Sequence, residues 1–93
     1  MTKQAKHIIV HGRVQGVGFR YFVQKAGNCL GLKGNVCNCP DSTVEIHVEG
    51  SAKKIEEFIR QVEKGPTFAG VERLDVHDAA ALGSYDSCLI ERW

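Results

Sequence analysis

One stretch of the sequence combines glycines with an arginine in the order needed to bind an anion. It reads His11-Gly-Arg-Val-Gln-Gly-Val-Gly-Phe-Arg20 and lies between a strand-like segment and a helix-like segment. Glycines let the chain curl so that successive N–H groups face one point, and a helix N-terminus adds partial positive charge there. Arg20, in the first turn of the helix, can bind two phosphate oxygens at once. The residues alone therefore predict a site for phosphate or carboxylate.

Other interpretations of this loop exist. Glycine-rich loops between a strand and a helix are common without any ligand. The loop is not a P-loop, because no lysine followed by serine or threonine ends it, and the alternating strands and helices of a dinucleotide-binding sheet are missing. Arg20 could be a solvated arginine, but a positive charge is unfavourable at a helix N-terminus. Its position there favours a bound anion.

The cysteines and histidines offer a weaker candidate site. Cys37 and Cys39 would share one face of a strand, and together with His7 and His11 they could bind zinc. Because the two paired motifs of structural zinc sites are absent, we expect no metal site. His7 and His11 should lie with His47 on an open sheet face, where surface polarity explains them better than catalysis does. No signal peptide precedes the cysteines, so we expect thiols rather than disulfides at Cys29, Cys37, Cys39 and Cys88.

Hydrophobic periodicity predicts the elements that position these residues. Apolar residues three or four apart follow the glycine loop, and Gly31 stands where a left-handed helix cap belongs. Ser51 should cap a second helix, which Gly65-Pro66 should end. A polar loop is expected over 79–85. Strands are predicted at 7–12, 35–39, 43–50, 71–76 and 87–92, and helices at 19–30 and 52–64.

This order of elements predicts an α+β fold. It is β-α-β-β-α-β with a C-terminal fifth strand, typical of a ferredoxin-like two-layer sandwich with two helices on one face of a mostly antiparallel sheet. In the segment 43–50, Val44, Ile46 and Val48 alternate with polar residues that should face solvent. Residues 1–93 are predicted to form a single domain.

Composition limits the functional classes. The chain has 93 residues, of which 43% are hydrophobic and 25% charged, with a formal net charge of +1. This balance is typical of a soluble globular protein and lacks the basic surplus of nucleic-acid binders. No apolar run is long enough for a membrane span or a secretory signal. We therefore expect a cytoplasmic protein that binds neither nucleic acid nor membrane.

With its neighbours, the glycine loop closely resembles the signature of the acylphosphatase family. Gly12–Arg20 reads GRVQGVGFR. A second family signature, a glycine followed four residues later by an asparagine, corresponds to Gly34 and Asn38. The stretches 41–45 and 65–71 also resemble the family. The resemblance covers nearly the whole chain and includes the order of its elements.

The resemblance implies an enzyme that hydrolyses the carboxyl–phosphate bond of acyl phosphates to a carboxylate and inorganic phosphate. It implies a monomer without cofactor or metal, for which phosphate or sulfate is a product or mimic. Arg20 would clamp the phosphate, and Asn38 would position the attacking water, since its amide offers both a donor and an acceptor. Without the family context, Asn38 could be a turn-entry residue that bonds its own backbone. The implied phosphate-binding residues are Gln15, Gly16, Val17, Gly18, Phe19 and Arg20.

The family mechanism needs no general base, because a phosphate oxygen of the substrate is thought to accept the water proton. The sequence agrees, since it shows neither paired carboxylates nor a Ser–His–Asp arrangement. Three residues depart from the family pattern beside the site: Asn35 replaces an aromatic residue, Cys37 a basic or polar one, and Ser42 a turn glycine. Oxidation of Cys39 could disturb water positioning, but we expect a passive thiol. The departures leave Arg20 and Asn38 in place.

Two other functions fit the same fold. RNA-recognition modules share this order of elements, but they place stacking aromatic residues where this chain has Glu45, His47 and Glu49. A non-catalytic domain that binds an anion in the loop is the second alternative, and only an activity measurement separates it from an enzyme. Handling of carbamoyl phosphate within a larger protein is a variant that the short chain disfavours.

Overall fold

The computed structural model describes residues 3–91, which form five strands and two helices in the predicted order. No helix in this part of the chain is long and apolar enough to span a membrane. The elements are β1 (Lys3–Arg13), α1 (Phe19–Cys29), β2 (Lys33–Asn38), β3 (Val44–Ser51), α2 (Ala52–Lys64), β4 (Gly70–Ala79) and β5 (Cys88–Glu91).

The strands form one sheet in the order β4-β1-β3-β2-β5. Neighbouring strands are antiparallel except β2 and β5, which run parallel. Helix α1 packs on β2 and β5, and α2 packs on β3 and β4. This arrangement confirms the predicted ferredoxin-like sandwich, and it makes β4 and β5 the edge strands.

The helix ends follow the predicted capping chemistry. The Ser51 hydroxyl accepts a hydrogen bond of 3.4 Å from the backbone N–H of Lys54 at the start of α2. Gly31 has a φ of 70° just after α1, as the left-handed cap requires. The spacing of apolar residues after the glycine loop predicts that Cys29 belongs to the buried stripe of α1. This prediction was wrong, since Cys29 is exposed, while Gly27 is buried against Cys88.

β1 and β4 are several residues longer than their hydrophobic patterns predicted. β1 begins at Lys3 instead of residue 7, and β4 extends to Ala79 instead of residue 76. The extra residues pair with each other, since Ala5 is in register with Ala79 and Lys6 with Asp78. Cross-strand pairing thus extends both strands through polar residues. The predicted fifth strand, 87–92, begins one residue late, and Arg92 lies outside the described residues.

The core lies between the helices and one face of the sheet. Phe19 of α1 and Phe58 of α2 are its largest side chains, and both are almost wholly buried. Burying an aromatic ring of this size stabilises the fold by about 1.5–3 kcal/mol. The sheet contributes alternate residues of three strands: Ile8, Val10, Val36, Val44, Ile46 and Val48.

The other face of the sheet is less open than predicted. Glu49 was expected to meet solvent, but its side chain is only 1% exposed. Residues of the segment 80–87 lie over it, and the backbone N–H groups of Leu82 and Gly83 donate to its carboxylate at 2.8 and 3.1 Å. The segment crosses this face because it connects β4, at one edge of the sheet, to β5, at the other edge.

Candidate active site

The glycine loop is held at both ends by buried apolar side chains. Val14 and Phe19 are each 1% exposed, and the Phe19 ring lies 6.1 Å from the ring of Phe22. Between them, Gly16 and Gly18 adopt left-handed φ angles of 74° and 75°. Residues other than glycine rarely adopt these φ angles. The curled backbone of the loop therefore requires glycine at these two positions.

Helix α1 begins at this loop, and no side chain of its N-cap or first turn offsets the partial positive charge of its N-terminus. Gly18 is the N-cap residue and has no side chain to accept a hydrogen bond from the first N–H groups. The first turn contains no acidic residue either. The N–H groups and the partial positive charge of this helix end therefore remain available to an anion.

Gln15 connects the loop to the turn between β2 and β3. Its side-chain Nε2 donates to the backbone carbonyl oxygens of Cys39 at 2.9 Å and Thr43 at 2.8 Å. The turn is braced by Asp41, which accepts hydrogen bonds from the Thr43 hydroxyl at 2.6 Å and backbone N–H at 3.1 Å. These two bonds lower the pKa of Asp41. The loop and the end of β2 are thus held at a fixed separation.

Asn38 is the last residue of β2, next to that turn. Gly34 allows β2 to reach its position, because a side chain there would collide with the carbonyl oxygen of His47 on β3. The Oδ1 atom of Asn38 is buried and has no hydrogen-bond partner among residues 3–91. A buried acceptor without a partner costs about 1–3 kcal/mol, so its presence calls for a functional explanation.

The loop, the helix start and Asn38 surround one pocket of about 220 Å³. Half-buried Arg20 lies in its wall, and this arginine makes no ion pair or hydrogen bond with any other residue between 3 and 91. The pocket therefore joins a guanidinium without a counter-charge to an amide oxygen without a donor. Its lining residues are Val14, Gly16, Gly18, Phe19, Arg20, Tyr21 and Asn38.

The pocket includes most of the residues that the sequence proposed, with two differences. Gln15 and Val17 do not line it: Gln15 bonds the hairpin turn, and Val17 packs against the core. Val14 and Tyr21 line it although the sequence did not single them out. Tyr21 could have been proposed from the sequence, since it directly follows Arg20 at the start of the predicted helix. The contacts of Gln15 join distant parts of the chain and leave no local pattern.

The histidines lie away from this pocket, on the opposite face of the sheet. His7 pairs in register with His47 on one side and His77 on the other. His11 bonds Asp75 at 2.8 Å, so it does not join the cysteines in the zinc site considered from the sequence. The hydrogen bonds of Asp75 with Arg73 and His11 lower its pKa. Among the described residues that line the pocket, none is a histidine or an acid.

Glu49 is the most strongly perturbed acid on that opposite face. Burial alone would raise its pKa, but a 2.6 Å hydrogen bond with His47 and the two backbone N–H donors lower it to about 2. Tyr85 packs beside His47, with ring centroids 5.8 Å apart. Burial and nearby negative charges raise the pKa of Tyr85. This group of contacts fixes the segment 80–87 to the sheet.

Comparison with known proteins gives one consistent family. A family model described as Acylphosphatase matches residues 6–88. A curated acylphosphatase from Chlorobaculum tepidum is 42% identical over 78 residues, covering 84% of this chain and 85% of that protein. One from Bifidobacterium longum is 44% identical over 73 residues, covering 78% and 75%. The crystal structure of acylphosphatase from Bacillus subtilis matches with a TM-score of 0.90 at 38% identity, covering 97% of this chain and 99% of that one.

Proposed function

The chain belongs to the acylphosphatase family, and from this we propose that its pocket hydrolyses acyl phosphates through Arg20 and Asn38. Arg20 and the backbone amides of residues 15–20 hold the phosphoryl group, those of Gln15 and Val17 although their side chains bond the hairpin turn and pack on the core. Asn38 orients the attacking water. Members of this family are enzymes, and this chain is an acylphosphatase. The observation that carries the assignment of roles is that one pocket joins an arginine and a buried asparagine oxygen, neither of which has a partner among residues 3–91.

The reaction breaks the bond between phosphorus and the carboxyl oxygen. Water attacks phosphorus, the carboxylate leaves with the electron pair of the broken bond, and the water proton passes to a phosphate oxygen. The carboxylate is a good leaving group, so positioning and charge stabilisation supply most of the catalysis. The bidentate guanidinium and the N-terminus of α1 stabilise the equatorial oxygens.

Asn38 acts on the nucleophile and not on the phosphate. Its buried Oδ1 can accept a hydrogen bond from water, and this fixes the direction of the oxygen lone pair that attacks. Within residues 3–91, no imidazole or carboxylate lines the pocket, which supports proton transfer to the substrate itself. We also propose that the chain acts as a monomeric single domain in the cytoplasm and that phosphate or sulfate competes with substrate.

The decisive experiment is hydrolysis of benzoyl phosphate in the presence of a chelator. Arg20→Gln should lose both turnover and phosphate competition, because the clamp is gone. Asn38→Ala should retain phosphate competition and lose turnover, because only the water is misplaced. Wild-type activity in Arg20→Gln would refute the proposed clamp.

Two control variants match these residues in type. Arg60→Gln removes an exposed arginine that pairs with Glu57 on α2, away from the pocket. Asn35→Ala removes an asparagine of the same strand whose side chain bonds Glu91. Both should keep parental kinetics. A parent that binds phosphate but hydrolyses no acyl phosphate would instead support the non-catalytic alternative.

A further inference from the structure

Three potential metal ligands converge behind the pocket, at the turn end of the β2–β3 hairpin. They are the thiols of Cys37 and Cys39 and the carboxylate of Glu45, whose ligand atoms all lie within 4.8 Å of one another. Cys37 and Cys39 point the same way because they are two residues apart. Glu45 joins them because it stands directly opposite Cys37 in the β2–β3 register. The sequence could pair the cysteines, but only the fold supplies this third group.

The separations match the requirements of a thiophilic divalent cation. Zinc lies about 2.3 Å from thiolate sulfur and 2.0–2.2 Å from carboxylate oxygen, so tetrahedral ligand atoms are about 3.4–3.8 Å apart. The present ligand atoms, at no more than 4.8 Å, need to approach by about 1 Å. Two cysteines and one carboxylate leave a fourth position for water. Soft thiolates select zinc or cadmium over magnesium or calcium.

The electrostatic surroundings favour a positive ion. Cys39 is only 8% exposed. Burial raises the pKa of its thiol, and the negative charges of Glu45 and Asp41 raise it further, although a hydrogen bond with Thr43 lowers it. Glu91 pairs with Cys37 in register and adds another carboxylate to this area. The Nε2 atom of His7 lies 3.9 Å from the Glu45 carboxylate.

We propose that Cys37, Cys39 and Glu45 bind one thiophilic divalent cation such as Zn²⁺ or Cd²⁺. On binding, each thiol releases its proton to solvent and each sulfur donates an electron pair to the metal. The site is separate from the phosphate pocket, and hydrolysis does not use the ion. Closure of the ligands would move the backbone on both sides of Asn38. If the proposed role of Asn38 is correct, occupancy should therefore lower kcat without weakening phosphate competition.

Binding can be measured without reference to activity. The full chain, reduced and freed of metal, is titrated with Cd²⁺ while the ultraviolet sulfur-to-cadmium charge-transfer band is recorded. The parent should give a band that saturates at one equivalent. Cys37→Ser and Cys39→Ser should each lose half or more of the band at saturation. Since loss of even an outer-shell partner costs about 10–100-fold in affinity, Glu45→Gln should bind at least about tenfold more weakly with the band intact.

The matched control is Cys29→Ser, which removes an exposed thiol outside the group and should leave the titration unchanged. Circular dichroism of each variant without metal checks that it is folded. A parent without stoichiometric binding, or a full band in the folded Cys37→Ser variant, would overturn the proposal. A parent that binds cadmium but hydrolyses no acyl phosphate would keep this site and refute the proposed catalytic roles.

Discussion

The two sides of the sheet differ in whether their polar side chains have hydrogen-bond partners. On the face covered by the helices, Arg20 and the Oδ1 atom of Asn38 have no partner among residues 3–91. On the other face, Glu49 receives hydrogen bonds from His47 and from two backbone N–H groups. A satisfied buried network stabilises a fold, whereas unsatisfied groups cost stability and are retained for binding. We therefore expect Glu49 to support the fold, and Arg20 and Asn38 to serve the proposed reaction.

The largest expected effect is a loss of catalysis on substitution of Arg20, together with a small gain in stability. Arg20→Gln should lower kcat/KM at least about 10³-fold, since an arginine that stabilises the phosphoryl transition state contributes about 10³–10⁵-fold. The free energy of unfolding should rise by about 0.3–1 kcal/mol, because a positive charge leaves the N-terminus of α1. Urea denaturation and kinetics on the same samples measure both. A large loss of stability would mean that Arg20 supports the fold instead.

The reverse result is expected on the other face. Glu49→Ala leaves His47 and the N–H groups of Leu82 and Gly83 without their acceptor, so unfolding should become easier by about 3 kcal/mol. The kcat of the folded variant should stay at the parental value. Glu57→Ala, which removes an exposed acid paired with Arg60, is the control and should change stability by less than about 1 kcal/mol. If the two substitutions changed the free energy of unfolding equally, the buried hydrogen bonds of Glu49 would not be what stabilises the fold.

Acid should weaken the same contact. The pKa of Glu49 is about 2 in the folded chain against an ordinary value of 4.5, so the folded state binds the proton less readily than the unfolded state. Its contribution to stability is complete above the ordinary value and is lost as the pH falls from 4.5 towards 2. Urea denaturation between pH 6 and pH 2 should therefore show a steeper loss for the parent than for Glu49→Gln. Parallel curves would exclude this carboxylate as a source of the acid sensitivity.

The smallest effect concerns the turn between β2 and β3. Ser42 has a left-handed φ of 75°, where a residue with a side chain is strained. Ser42→Gly should relieve this strain. Part of the gain is offset because glycine makes the unfolded chain more flexible, so the fold should be stabilised by about 0.5–1 kcal/mol. Thermal unfolding measures the gain, with Ser51→Gly, at the N-cap of α2, as a control that should not stabilise. A loss of stability on Ser42→Gly would show that its hydroxyl matters more than its backbone angle.

Local chemistry explains which parts of the structure the sequence predicted. The caps at Ser51 and Gly31 and the glycine loop depend on residues near each other in the chain, and the sequence indicated all of them. The ends of β1 and β4 depend on pairing between distant residues, and the sequence missed them. The predicted exposure of Glu49 was wrong because strand alternation shows which face of the sheet a residue is on. It does not show which segment covers that face.

The same distinction applies to the candidate site. Arg20 and Asn38 could be proposed from the sequence because family motifs contain them, and the structure brings both to one pocket. The hydrogen bonds of Gln15 to the hairpin and the proximity of Glu45 to the two cysteines arise only when separate strands meet. Such contacts have no local spacing from which they could be predicted.

The outer edge formed by β4 has a consequence for the behaviour of the protein at high concentration. A ten-residue strand with unpaired backbone groups is a template for adding another chain and for growing aggregates. Along this edge, the charged side chains of Glu72, Arg73 and Asp78 are exposed. Charged side chains on an edge disfavour the approach of a second identical strand. The protein should therefore stay dispersed until its edge charges are neutralised or screened.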